Sequence, residues 1–251
     1  MFKIVCGIEY NGSRYYGWES QIKNFSIKNK LEEAISKIAN HKVYIFCAGR
    51  TDSGVHAYNQ VIHFTTYSFR KRRSWIIGIN SLLPKDISII WIKYISHDFH
   101  ARYSAISRSY RYIIYNNFIR SALLNNRVNN VFFNLNEKKM HNSGQILLGE
   151  HDFSSFRASG CQSFTAWRNI INLNVYRKKK YFVIVEITAN SFLYKMVRNI
   201  VGCLIEIGKN KKKKSWLLNV LNLKNRNFAG PTVLANGLYL FSIKYPKHFN
   251  I

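Results

Sequence analysis

The stretch Ala48-Gly49-Arg50-Thr51-Asp52-Ser53-Gly54-Val55-His56-Ala57 sets one carboxylate between two glycines, with an arginine two residues before it. Glycines allow backbone to approach a bulky ligand closely, and loops on a rigid scaffold are where reacting groups concentrate. An aspartate beside an arginine is ionised at neutral pH, which suits nucleophilic or electrostatic work better than proton donation. The same ten residues also fit a plainer reading, in which Arg50 and Asp52 form an ion pair that steadies a hairpin loop. Competition for a catalytic carboxylate is thin, because the chain has only four aspartates. Asp86 follows Pro84-Lys85 in an expected turn, and Asp98 and Asp152 each sit between a His and a Phe, where capping or turn duty is expected.

Other chemistries lack their residues. His56 and His63 have no partner pattern and are expected to be core or hydrogen-bonded histidines. The zinc-deaminase signature and the phosphate-cradling G-x-x-x-x-G-K-[ST] loop are absent, so neither metal nor nucleotide cofactor is implied. Cys6, Cys47, Cys161 and Cys203 lie far apart in apolar surroundings and read as reduced thiols. The apolar runs Ile76–Leu83 and Ile87–Ile92 fall short of the roughly 20 residues a membrane span needs. Met1–Tyr10 reads as a strand rather than a signal peptide, so a cytoplasmic protein without membrane association is expected.

The formal charge of +26 over 251 residues points to a polyanionic partner, since neutralising phosphates releases counterions. Split after Ala105, the first part carries +8 and the second +18. Asn, Ile and Lys make up 80 residues, a bias expected of an AT-rich genome, so part of the lysine content reflects base composition. The runs 178–180 and 209–214 therefore read first as solvated loops. The 38 aromatic residues interleave with charge at Phe99–Tyr103, Arg108–Tyr112 and Phe192–Arg198. A base stacked on such a ring gains about 1–3 kcal/mol, enough to offset extrusion of one nucleotide. Tyr110 and Tyr112 alternate on an expected strand, one face of which must be core.

Elements that position these groups follow from periodicity and punctuation. Strands are expected at Lys3–Tyr10, Val43–Cys47, Tyr58–Thr66 and Asp86–Ile95, with helices at Ile27–Asn40, capped by Ser26, and Ser74–Leu83. The second part gives strands at Ser109–Tyr115, Ile170–Tyr176, Tyr181–Ala189 and Gly237–Tyr245, and helices at Glu137–Leu148, Tyr194–Gly208 and Ser215–Leu223. The expectation is an α+β fold of two similar halves, 1–105 and 106–251, each with antiparallel sheet flanked by helices, the two packed around a central basic cleft.

The loop at Gly49–Ala57 resembles the catalytic motif of the TruA family of tRNA pseudouridine synthases. The likeness extends to Tyr15-Tyr16-Gly17-Trp18, Asp98–Ala105, Arg108–Tyr112, Leu148–Arg157, Met196–Gly202 and Gly237–Leu240, in the family's order. It implies an isomerase without metal or organic cofactor, working as a homodimer on tRNA and converting uridine to pseudouridine at positions 38, 39 and 40 of the anticodon stem-loop. Carried over, Asp52 is the nucleophile, Arg50 helps displace the target base, Tyr110 stacks on the uracil and assists proton removal, and Arg198 pairs with the Asp52 carboxylate. Glu19 stands where the family has Gln, and Tyr194-Lys195 where His is common. The alternative is a non-catalytic basic RNA-binding protein, against which the intact Arg50-Thr51-Asp52 loop argues. A metal-dependent nuclease lacks a second carboxylate in the motif.

Overall fold

A computed structural model describes residues 1–19 and 26–251. The chain opens with β1 (Phe2–Tyr10), then α1 (Ile27–Ala39), β2 (Phe46–Cys47), β3 (His56–Thr66), α2 (Arg72–Leu82) and β4 (Ile87–Ile95). It continues with β5 (Ser107–Asn116), β6 (Asn129–Val131), α3 (Glu137–Gly144), β7 (Gly149–Asp152), β8 (Trp167–Lys178), β9 (Phe182–Ala189), α4 (Met196–Gly208) and α5 (Lys214–Leu223), and closes with β10 (Leu238–Lys244). The α+β class matches the expectation.

Contacts divide the chain into two compact units: Met1–Ser107 with Tyr239–Ile251, and Arg108–Leu238. The expected second half ran to residue 251, so the last strand is reassigned. Tyr239 and Leu240 pair in parallel with His56 and Ala57 of β3, and the segment after the strand is anchored in the first unit's core. Tyr245 and Phe249 pack there with Val5, Ala48, Val61, Phe99 and Ala101, and the Tyr245 hydroxyl donates to the Ala101 carbonyl at 2.7 Å. Strand periodicity reveals that 237–245 is extended but not which distant strand receives it.

In the first unit, β1 runs antiparallel to both β3 and β4, and β2 pairs with β3 through Phe46 and Cys47. Only these two residues of the expected strand Val43–Cys47 are strand. α1 starts where Ser26 accepts a hydrogen bond from the Asn29 N–H at 3.1 Å, and ends at Asn40 in the left-handed conformation, φ 60°. Its apolar stripe Ile27, Leu31, Ala34 and Ile35 is buried, as the spacing requires.

In the second unit, β9 lies between β5 and β8, and β7 adds to β8, all antiparallel. β6 joins β5 in parallel, and neither it nor β7 was expected from the sequence. α3 stops four residues short of the expected Leu148, tightening into a 3₁₀ turn at Gln145–Leu147. Gly144 sits there hard against Leu173, where an added Cβ would come within 2.5 Å of the side chain. α4 begins at Met196 rather than Tyr194 because Lys195 adopts φ 57°, outside helical geometry.

The histidines and thiols fall where the plain readings put them. His63 is buried, its Nδ1 accepts the Ala101 N–H at 3.1 Å, and burial with the neighbouring His100 and Lys3 pushes its pKa down to about 3. Because the folded value lies below the ordinary one near 6.5, protonation favours the unfolded chain as pH falls from about 6.5 toward 3. In an NMR titration the His63 ring is expected to stay neutral down to about pH 4; a midpoint above 6 would contradict this packing. Burial likewise pushes the Cys47 thiol up to about 12 and Cys203 to about 11, which keeps both protonated, and all four cysteines are free. Among the described residues no helix is long and apolar enough to cross a membrane.

Candidate active site

Asp52 lies on the connection from β2 to β3, and its neighbours are tied down on both sides. Ahead of it, fully buried Gln60 donates from Nε2 to the Gly49 carbonyl at 2.6 Å while accepting the Val61 N–H through Oε1 at 3.2 Å. Thr51 is buried, shares a hydroxyl hydrogen bond with Tyr10 at 2.8 Å, and accepts the Trp18 N–H on its carbonyl at 3.0 Å. After it, the Ser53 hydroxyl and the Gly54 N–H both donate to the Tyr15 carbonyl, at 3.2 and 3.3 Å. The Asp52 carbonyl accepts the Val55 N–H at 3.1 Å, closing a turn in which Gly54 has φ 77°.

The clamp on this loop is the segment Tyr10–Trp18. Gly17 has φ 101°, and a Cβ there would lie 2.8 Å from the Thr51 carbonyl oxygen and 3.1 Å from the backbone of Asp52 and Ser53. Gly12 presses closer still on Val55, where a Cβ would lie 1.9 Å from the carbonyl oxygen, and its N–H donates to His56 Nδ1 at 3.1 Å. The buried His56 ring stacks on Tyr239 at 4.6 Å, which gives the misassigned last strand a part in holding the loop. The Tyr15 hydroxyl donates to Asp86 Oδ1 at 2.6 Å. Asp86 thus serves the clamp, and Asp152 accepts from the Ser154 N–H and hydroxyl in a turn, so neither competes with Asp52. The roles of Gly12, Gly17 and Gln60 are not readable from the loop motif. The signals available are local and weak: a glycine between two aromatics, Tyr16 and Trp18, and a Gln in the middle of a strand.

The result is a half-buried carboxylate whose backbone is fixed before any ligand arrives. A positioned group of this kind needs little reorganisation to attack a substrate held against it. Arg50 is exposed, with Nε 3.9 Å from Glu19, which also pairs with Lys28 at 3.2 Å. Exposed pairs of this type contribute about 0–1 kcal/mol, so the Glu19 contact is a weak hold on Arg50.

Tyr110 and Arg198 belong to the second unit. Tyr110 lies on β5 in register with Ile187 and is half-buried, with Phe192 edge-on at 5.0 Å. Tyr112, two residues on and therefore on the same face, is the core member of the pair: fully buried, with its hydroxyl on the Leu234 carbonyl at 2.8 Å. Burial pushes the Tyr112 hydroxyl pKa far up, against an opposing pull from the Arg198 charge. Arg198, on the first turn of α4, donates from Nε to the Val233 carbonyl at 2.8 Å. The 229–233 segment is drawn onto α4 at Gly202, where a Cβ would meet the Pro231 carbonyl at 1.8 Å. Buried Asn199 braces the same contact, donating to the Phe156 carbonyl and accepting from Thr232 and Arg226. Met196–Gly202 is thus a packing motif that presents one arginine. Among the described residues no group of three His, Cys, Asp or Glu side chains is placed to hold a metal ion.

A profile of tRNA pseudouridine synthases matches residues 8–104 and 145–246, taking in the Asp52 loop, its clamp and α4. The chain belongs to the tRNA pseudouridine synthase family. Curated relatives agree along nearly the whole length. A tRNA pseudouridine synthase A of Buchnera aphidicola subsp. Schizaphis graminum is 59% identical, covering 99% of this chain and 94% of its own. The protein of that name from Histophilus somni is 53% identical, covering 99% and 92%, and that from Escherichia fergusonii 49%, covering 100% and 93%. Membership makes the chain an isomerase of uridine in tRNA, and the reading as a non-catalytic RNA-binding protein is set aside.

Proposed function

We propose that the chain isomerises uridine to pseudouridine at positions 38, 39 and 40 in the anticodon stem-loop of tRNA, with Asp52 as nucleophile. The observation that carries the role of Asp52 is the clamp: Tyr10, Tyr15, Gly17 and Gln60 fix the backbone on both sides of the loop's one carboxylate. The reaction breaks the bond from ribose C1′ to N1 and forms one from C1′ to C5; C5 loses a proton and N1 gains one, so nothing is oxidised or reduced. It calls for a carboxylate that attacks transiently and departs, and for a pocket that retains the detached uracil. In this reading Arg50 enters the space of the displaced base, Arg198 pairs with the Asp52 carboxylate, and Tyr110 stacks on the uracil with its hydroxyl assisting removal of the C5 proton. No metal or organic cofactor takes part. The resemblance also supports a homodimer acting in the cytoplasm, and the charge of +26 supports tRNA as its partner.

Anticodon-arm transcripts with uridine replaced singly at each of the three positions test the assignment. Loss of conversion confined to the replaced position supports it, and conversion elsewhere in the arm sinks it. For Tyr110→Phe the ring remains, so affinity for the transcript is expected within about twofold while turnover falls about a hundredfold, at the lower edge of proton-transfer effects. Unchanged turnover removes the hydroxyl from the reaction.

A further inference from the structure

The motif Asp98–Ala105 has no part in the chemistry above, yet the first unit builds it with care. The His100 N–H donates to the Ser104 hydroxyl at 3.0 Å, and the Ser104 N–H donates to the His100 carbonyl at 2.9 Å. His100 Nδ1 accepts the N–H groups of Arg102 and Tyr103, at 3.1 and 3.3 Å. Ala101 is fixed from both ends by His63 and Tyr245. This tight, fully bonded turn holds an aromatic ring in water: Tyr103 is 76% exposed. The ring lies 4.3 Å from the His100 ring, with the Arg102 guanidinium 5.7 Å from its centroid. His100 meets His63 at 4.6 Å, and His63 stacks on Phe46 at 5.2 Å and 20°. Phe46 is itself 53% exposed and lies on β2, the strand that leads into the Asp52 loop.

A hydrophobic ring held out by a rigid turn gains nothing for the fold. Two exposed rings joined through two histidines, with an arginine on one of them, match what single-stranded nucleic acid uses: flat faces for bases and a cation for the phosphate. Rigidity adds to this, because a pre-ordered side chain loses little entropy on binding. Burial disfavours the charged form of both His63 and His100, so the ladder stays neutral and does not repel a cationic Arg102.

We propose that Tyr103, Arg102 and Phe46 form a second nucleobase platform, which stacks an unpaired nucleotide of the substrate tRNA other than the target uridine and grips its phosphate. The proposal rests on tRNA being the substrate and would stand whichever uridine is modified.

The test measures binding of an anticodon-arm transcript, and of a perfect RNA duplex of equal length, to the full chain and three variants. Tyr103→Leu is expected to weaken transcript binding about tenfold, within the range for one stacked base, and duplex binding by less than twofold. Tyr103→Trp is expected to restore affinity, with tryptophan fluorescence quenched on addition of the transcript. Arg102→Ala is expected to lower the slope of log affinity against log salt by about one. Turnover of Tyr103→Leu at saturating tRNA should match the parent, which separates failure here from failure of the catalytic assignment. Equal losses for Leu and Trp, or an equal loss on duplex, would overturn the platform. A shift in the sedimentation of Tyr103→Leu without RNA would assign this face to self-association and overturn it too.

Discussion

Asp52→Asn is expected to lower turnover by at least about a thousandfold while tRNA affinity stays within about threefold of the parent. The amide has nearly the shape of the carboxylate but no charge to attack with, and removing a nucleophile costs far more than removing one binding contact. The fold is expected to survive the change. The loop is held through Gln60, Thr51, Ser53 and Gly54, none of which uses the Asp52 side chain. Affinity should hold because the lost charge is negative and the ligand is a polyanion. Thermal unfolding, filter binding and isomerisation measured on one preparation separate these terms; turnover within tenfold of the parent would remove Asp52 from the chemistry.

The second large effect is steric. Gly17→Ala is expected to cost about 1–2 kcal/mol of stability, because an L residue at φ 101° is strained, and to lower turnover about a hundredfold. The new Cβ can be accommodated only by moving the Thr51–Ser53 backbone, and a displacement near 1 Å at a reacting group has that order of effect. Gly49→Ala is the control. No atom lies within 4 Å of a Cβ at Gly49, so its melting temperature should stay within a degree or two. If both substitutions leave turnover unchanged, the clamp is not what positions the carboxylate.

Much of this was legible in the chain itself, for identifiable reasons. Ser26 and the stripe from Ile27 to Ile35 announce α1 because capping and helical spacing are local properties, and the structure keeps both. The single carboxylate between glycines marked the loop, since a scarcity of acids leaves few rivals. What stayed hidden was non-local. Nothing near residue 239 says that it will pair with His56, because strand partners are chosen by the whole sheet. The three-residue β6 is too short to show a period. Gly17 stands out in the sequence only as part of the Tyr15–Trp18 likeness, and its close approach to the Thr51 carbonyl is visible only in the fold. Arg50 and Asp52 suggested a simple pair, whereas Arg50 also faces Glu19, a contact made by a residue that had stood out only as a departure from the family's pattern.

Release of tritium from tRNA labelled at uridine C5 reads the proposed chemistry most directly, because the C5 proton must leave when C1′ transfers to that carbon. The purified chain is expected to release label from anticodon-arm uridines in step with pseudouridine formed, and Asp52→Asn to release none above background. Equal release by the Asp52→Asn variant, or no release by the folded parent chain on a tRNA it binds, would contradict Asp52 as the nucleophile of this isomerase.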